Sequence, residues 1–316
     1  MKKPLRIVTA NKLALTNMAT AFALLLVGGF FGLLQGLNRA GVLTIVGGMN
    51  YYEMLSLHGV LLILAFTTLF MNGYLWSAVD YVLGGLTKGI KTLGWAAYTI
   101  FMVGAILVAI MIFAGEATVL YTFYAPMAAN PWFYIGLVFV VLNIWMSGIG
   151  VFISAFRWKK QNKGKHLPLF AFFAVGVYVL ITFGTAFVAA EVFYIIPWTL
   201  GWIDTINVLL TRTLFWAFGH TLVNVWYLVA VSAWYMVVPK VIGGKLFSDS
   251  LARAVVILIV VLNVPGGFHH QIVDPGFTEG LKFMHLFMSL AIAVPSLLTA
   301  FALFATLERT GRRRGG

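Results

Sequence analysis

Four histidines of this chain lie in apolar stretches where they are candidate metal ligands. His269 and His270 are adjacent, His220 lies in the preceding apolar stretch, and His58 lies near the start of a much earlier one. Imidazole is a common neutral ligand for copper, iron and heme. Because the chain has no cysteine, it has neither a thiolate metal site nor a c-type heme motif. Any bound metal is therefore expected to be held by histidine.

Each histidine also has a plainer interpretation. A single histidine in a membrane segment is as often a hydrogen-bonded packing residue as a metal ligand. His166 lies in a strongly basic loop and is expected to have no role in a site. An adjacent pair, joined by a third histidine at similar depth on the preceding segment, is more specific for a metal.

The local sequence decides whether the adjacent pair can bind one ion. Neighbouring residues on a regular helix point roughly 100° apart, so they share a metal best where the helix loosens. Proline and glycine both weaken the regular helix, and they flank His269 and His270 at Pro265, Gly266, Gly267, Pro275 and Gly276. The alternative is a helix-ending turn with two histidines at the membrane interface.

The composition indicates a membrane protein. Of 316 residues, 61% are hydrophobic and 9% are charged, whereas a soluble domain has roughly 25% charged residues. A spanning helix needs roughly 20 apolar residues, and eight segments qualify. We therefore expect one all-α domain over residues 1–316, a polytopic transmembrane helix bundle with an uncleaved first span. The segments are 13–37, 54–79, 93–115, 132–156, 168–190, 207–238, 252–271 and 283–307.

The basic residues predict the orientation of the bundle. Eighteen of the 21 Lys and Arg residues fall on one side of this eight-span arrangement, and only Arg39, Arg212 and Lys282 fall on the other. Basic residues favour the cytoplasmic side, so both termini are expected there, in a multi-pass protein of the cell membrane. The net charge of +12 is thus an orientation signal. The lipid bilayer is an expected partner, and nucleic acid is not.

Several strings resemble subunit I of B-type heme–copper oxidases, in order along the chain. Residues 51–60 are similar to the low-spin heme helix, and the string VLYTFYAPM to the loop between helices 3 and 4. The string TRTLFWAFGH resembles the copper-ligand helix. The string GGFHHQIVDPG is similar to the double-histidine motif, and the string VPSLLTAF resembles helix 8.

The resemblance implies a role for each of these polar residues. His58 would be an axial ligand of a low-spin heme. His220, His269 and His270 would hold copper facing a high-spin heme, and His285 would be structural. Three residues match the family's proton-uptake channel, for which interhelical hydrogen bonding is the alternative: Tyr235, Ser296 and Thr299.

The chain departs from the family at Asn224. Oxygen-reducing B-type enzymes have a tyrosine there, cross-linked to the histidine one turn earlier. Tyr227 is seven residues after His220, roughly 10 Å along the helix, which is too far for such a cross-link. Nitric oxide reductases of the superfamily lack the tyrosine, so Asn224 favours that chemistry and admits nonheme iron in place of copper.

The second departure is length. Family catalytic subunits usually have twelve or more helices, and the tenth supplies two further histidine ligands. With eight helices, the low-spin heme would have only His58 and the high-spin heme would lack its proximal ligand. The chain alone is therefore expected to be inactive. It would be a fragment, a degenerate copy, or part of a split subunit whose C-terminal helices are on another chain.

Three functions remain open from the sequence. The first is the catalytic subunit of a respiratory terminal oxidase that transfers electrons to O2, coupled to proton uptake. The second is a nitric oxide reductase that forms N2O from two NO. The third is a non-catalytic remnant or assembly protein. The resemblance implies a cupredoxin-like subunit II and, as electron donor, cytochrome c or a small copper protein.

Overall fold

The computed structural model describes residues 11–44 and 48–314, without the side chains of 264–266, 268, 313 and 314. Every element of the fold in this part of the chain is helical. The α-helices are α1 (Lys12–Arg39), α2 (Tyr51–Gly59), α3 (Thr67–Leu83), α4 (Lys88–Phe113), α5 (Pro131–Gln161), α6 (Leu169–Thr199), α7 (Val208–Val241), α8 (Asp249–Gly266), α9 (Glu279–Ala291) and α10 (Ala293–Arg314).

Short polar residues start the helices that carry the histidines. Asn50 and Glu53 form a capping box at the start of α2, in which each side chain bonds the other's backbone N–H. The Asn207 side chain accepts a hydrogen bond from the Leu210 N–H at 3.0 Å and starts α7. These caps satisfy orphan N–H groups at the helix ends and set the register in which His58 and His220 follow.

Seven helical segments of the described chain are long and apolar enough to cross a membrane, which confirms the predicted helical bundle. The predicted segment 252–271 is not among them. It forms α8, which is 18 residues long and packs against α6, α7, α9 and α10. The cytoplasmic location of both termini stays a prediction. The seven are Lys12–Arg39, Tyr51–Leu83, Lys88–Phe113, Pro131–Gln161, Leu169–Thr199, Val208–Val241 and Glu279–Arg312.

Small residues let the helices approach closely, as is common in membranes. A Cβ added to Gly104 of α4 would lie 2.6 Å from the Gly136 carbonyl oxygen of α5. A Cβ on Gly184 of α6 would lie 2.6 Å from the Thr221 side chain of α7. The second contact brings α6 against the turn of α7 that carries His220.

The helices are interrupted at three places, two of them beside histidines. The segment Val60–Phe66, directly after His58, is a π-helix between α2 and α3. After Gly266 the regular α-helix ends and the chain continues as the tighter 3₁₀ segment Gly267–Gln271. The adjacent histidines thus lie outside the regular α-helix, in a tightened segment where a loosened helix was predicted. Between α9 and α10 the regular α-helix is interrupted at Ile292. There, Pro295 has no N–H to donate to the Ala291 carbonyl.

Candidate metal centre

His220 occupies a buried position on α7, with 6% of its surface exposed. The neighbouring Thr221 holds this turn of α7 in place through two hydrogen bonds. Thr221 donates to the Ala217 carbonyl at 2.8 Å and accepts a hydrogen bond from the Asn263 amide of α8 at 2.9 Å. Gly184 of α6 also packs against Thr221, so α6 and α8 both contact α7 at this level.

The 3₁₀ segment brings His269 and His270 to His220. Gly267 lies against α7, where an added Cβ would be 3.7 Å from the His220 Cβ. The ring centroids of His220 and His269 are 4.7 Å apart, and those of His220 and His270 are 5.7 Å apart. Three histidines that the sequence places on two separate segments thus form one cluster.

The donor set of this cluster fits a single metal ion. One ring nitrogen from each of the three histidines lies within 4.8 Å of the others. Nitrogens that share a metal at 2.0–2.1 Å are about 3.4 Å apart, so small ring movements suffice for three-fold ligation. Three neutral imidazoles are a donor set suited to copper or iron.

Ser289 of α9 orients His269. Its hydroxyl donates to the His285 carbonyl at 2.7 Å, and it lies 2.6 Å from the His269 Nδ1. Since the hydroxyl has one proton and a carbonyl can only accept, the serine oxygen accepts from the Nδ1–H of His269. Nε2 is then the unprotonated nitrogen, the form in which an imidazole binds a metal, and the hydrogen bond orients the ring.

Trp216 holds the plane of His270. The indole and imidazole rings stack with centroids 4.2 Å apart and planes inclined by 12°. Trp216 lies one helical turn before His220 on α7. This part of α7 therefore carries one candidate ligand, His220, and the ring that packs against another, His270. His270 itself is exposed, which leaves this side of the cluster accessible.

Asn224 contacts His220 directly. Its amide nitrogen lies 3.3 Å from the His220 Nε2 and 3.1 Å from the His220 carbonyl oxygen. The amide that was expected at the tyrosine position thus contacts the preceding histidine through a hydrogen bond. With Nε2 facing the amide, Nδ1 of His220 is the nitrogen left for a metal.

His58 is half-buried on α2 and is not part of the three-histidine cluster. Its Nδ1 lies 2.8 Å from the Gly28 carbonyl oxygen of α1. Because a carbonyl only accepts, Nδ1 carries the proton and Nε2 keeps its lone pair. Gly32 lies against the ring, where an added Cβ would be 2.6 Å from Nδ1. His58 thus has the fixed orientation and free nitrogen that a heme ligand needs.

The three candidate proton-path residues do not form one group. The Tyr235 hydroxyl of α7 is buried without a hydrogen bond in the described part of the chain. Thr299 of α10 interacts with it and is itself buried. Ser296 is exposed and bonds the Ile292 carbonyl at 3.3 Å. The structure brings Tyr235 and Thr299 together and places Ser296 on the outer surface of α10.

Comparison with known proteins decides the family. Residues 12–314 match the family described as Cytochrome C and Quinol oxidase polypeptide I. The chain belongs to this family. It is 38% identical over 320 residues to cytochrome c oxidase subunit 1 of Thermus thermophilus, and 23% identical over 316 residues to that of Bacillus subtilis. Their matches cover 97% and 91% of the chain.

A solved heme-copper terminal oxidase dimer has the same fold. Its similarity to this chain has a TM-score of 0.89 at 36% identity and covers 96% of the chain. The chain spans about half the length of these subunit I relatives, with 56% of the Thermus protein, 50% of the Bacillus protein and 53% of the solved chain covered. Family membership and seven apolar helices make it a multi-pass protein of the cell membrane.

Three residues of this subunit I chain were not identified from its sequence. Ser289 and Trp216 touch candidate ligands, and neither residue type signals that by itself. Glu191 is fully buried on α6, and its carboxylate oxygens have no hydrogen-bond partner among the described residues. Glu191 had a signal, since an ionisable residue within an apolar run is expensive in a membrane and suggests function.

Proposed function

We propose that residues 1–316 form a single membrane domain equivalent to the first eight helices of the catalytic subunit I of a respiratory heme–copper terminal oxidase. In this proposal the complete enzyme transfers electrons to O2 at a heme–copper centre and takes up protons. The observation that carries it is the cluster of His220, His269 and His270, within a chain of the subunit I family.

The three clustered histidines would hold the copper ion, or a nonheme iron. Beside a heme iron, such a metal supplies electrons and a binding position for a small gaseous substrate. Ser289 and Trp216 fix two of the rings, so little reorganisation is needed on binding. His58 would be one axial ligand of a low-spin heme through Nε2.

Protons would reach the centre along α7. Tyr235 and Thr299 supply a buried hydroxyl pair between α7 and α10. Ser296, on the exposed surface of α10, would contribute where a further subunit covers it. Hydroxyl groups suit this task because each can donate one proton while it accepts another.

Other parts of the complex would complete the site. The proximal ligand of a high-spin heme would come from helices outside this chain, on the same polypeptide or another one. A cupredoxin-like subunit II would pass electrons from cytochrome c or a small copper protein. The exposed face of His270 is the side of the centre on which a heme could lie.

Asn224 supports a second function, the reduction of two NO to N2O. An amide cannot supply the electron and proton that a cross-linked tyrosine gives to oxygen reduction. Asn224 nevertheless occupies the hydrogen-bonding position beside His220. A reaction that needs two electrons and two protons has less need of a phenol at this position.

Turnover by the purified membrane complex tests both functions. Consumption of O2 and of NO is measured with the physiological class of donor, a reduced cytochrome c or small copper protein. We expect His220→Ala to abolish the activity and His166→Ala, in the basic cytoplasmic loop, to leave it intact. Asn224→Tyr is expected to retain the metal and to raise the rate of O2 consumption relative to that of NO consumption.

The outcomes separate the alternatives. Faster consumption of NO than of O2 supports the reductase, and the reverse supports the oxidase. A complex that contains heme but consumes neither gas, or a chain that assembles without heme or metal beside its partner subunits, contradicts both and favours a non-catalytic remnant or assembly protein.

A further inference from the structure

Two phenols on α7 have buried hydroxyls. The hydroxyl oxygens of Tyr227 and Tyr235 are both shielded from solvent, and neither has a hydrogen-bond partner in the part of the chain that the structure describes. Buried polar groups are nearly always paired with protein or ordered water. Two such hydroxyls on one helix need an explanation, and Tyr227 has no role in the function proposed above.

The two phenols lie on the face of α7 that carries the metal ligand. Residues 220, 224, 227, 231 and 235 fall within roughly 80° of arc on a regular helix. Asn224 is bonded to His220, and Tyr227 follows within one turn. Tyr227 and Tyr235 are about 12 Å apart along the axis, a gap that water can bridge.

The direction of the side chains shortens the gaps between these groups. Long side chains on a helix lean toward its N-terminus and cover the preceding turn. The Tyr227 hydroxyl therefore lies toward the turn of Asn224, and the Tyr235 hydroxyl lies toward that of Val231. Val231 supplies no polar group, so Tyr227 carries the next hydroxyl on this face from Tyr235 toward the N-terminus of α7.

Tyr235 is also reached by a pocket from the far end of α7. The pocket opens between the end of α3, the start of α6 and the end of α7, where Lys240 lines its mouth. Ser232 lines it beside Tyr235, and its hydroxyl lies 3.2 Å from the Tyr74 hydroxyl of α3. This pocket and the Tyr74–Ser232 pair bring polar groups to the surroundings of Tyr235 without the exposed Ser296.

We propose that Tyr227 is a proton-relay residue that connects Tyr235 with the Asn224–His220 end of the metal centre, with bridging water in the remaining gaps. The relay rests on the function proposed above. At each transfer the phenol oxygen accepts a proton from the Tyr235 side and releases its own proton toward the centre. Tyr227 stays neutral throughout, and no electron moves.

Tyr227→Phe tests the relay, because it removes the hydroxyl and keeps the ring. Tyr98→Phe is the matched control, since the Tyr98 hydroxyl bonds Thr20 at 2.8 Å between α1 and α4. In the purified full complex we expect Tyr227→Phe to slow turnover and proton uptake by roughly tenfold or more. Metal content and heme spectra stay at the parent level, and Tyr98→Phe behaves like the parent.

A rescue variant separates relay from packing. Tyr227→His restores a group that donates and accepts protons, so its turnover is expected to exceed that of Tyr227→Phe. Turnover of Tyr227→Phe within about twofold of the parent overturns the relay, and loss of metal in that variant shows a structural role instead. A parent complex that reduces neither O2 nor NO contradicts the proposed function, and the relay fails with it.

Discussion

The Arg212 guanidinium lies 3.1 Å from the Asp274 carboxylate, which joins the start of α7 to the segment that follows the adjacent histidines. Asp274 is mostly buried, with 12% of its side chain exposed, and it also accepts from the Gln271 amide at 3.3 Å. Arg212 further lies over the Tyr124 ring at 5.4 Å. This ion pair joins the two segments that carry the clustered histidines, through residues that are not themselves candidate ligands.

Loss of this ion pair is expected to loosen the metal centre. Arg212→Gln leaves Asp274 without its cation, at a cost of about 1–3 kcal/mol in stability. We expect a lower melting temperature of the purified complex and a lower metal content. The control is Arg312→Gln, which breaks the exposed pair with Glu308 on α10 and should change little. An equal melting temperature and an equal metal content in the two variants would show that the Arg212–Asp274 pair does not stabilise the metal centre.

Ser289 is expected to matter through its hydrogen bond to His269. Ser289→Ala removes the acceptor that fixes the Nδ1–H tautomer, and such outer contacts typically contribute 10–100-fold to metal affinity. We expect a loss of about this size, measured as metal retained against increasing chelator. Ser289→Thr keeps the hydroxyl and should retain most of the affinity.

Ser154→Ala is the control for Ser289→Ala. Ser154 of α5 makes the same bond to the carbonyl four residues earlier, at 2.7 Å, but it has no histidine partner. If Ser154→Ala and Ser289→Ala lose metal equally, the loss comes from a general decrease in helix stability. That result would contradict the role of Ser289 in orienting His269.

Gly32 is expected to be required for a heme at His58. A methyl group at this position would lie 2.6 Å from the His58 Cε1 and Nδ1 atoms, so the ring must turn away from the Gly28 carbonyl. We expect Gly32→Ala to lose most of the low-spin heme absorbance of the complex.

The neighbouring Gly29 provides a control on the same helix. A Cβ on Gly29 meets nothing within 4 Å, so Gly29→Ala should keep the spectrum. Full low-spin heme absorbance in Gly32→Ala would contradict the placement of the heme at His58.

Much of the fold and part of the site followed from local sequence. Apolar runs identified the spans, since a membrane requires helices of roughly 20 apolar residues. The glycines and proline before His269 predicted a departure from the regular α-helix, and the structure shows one there, as a tighter 3₁₀ helix rather than a loosened segment. Asn224 was placed correctly beside His220, because four residues make one turn.

Contacts between distant segments could not be read from the sequence. The Ser289–His269 bond and the Arg212–Asp274 pair depend on how helices pack, which hydropathy does not specify. The π segment Val60–Phe66 has no proline or glycine to signal it. Ser296 matches the family string, yet the packing of α10 turns it to the outer surface.

The metal content of the purified complex shows whether His220, His269 and His270 bind one ion. Three imidazoles from two parts of the chain must bind one ion, so the ion should disappear when any one of them is removed. We expect one copper or nonheme iron per parent complex, in addition to heme iron, and its loss in His269→Ala with the low-spin heme retained. Full metal occupancy in His269→Ala would contradict the assignment of the three-histidine centre.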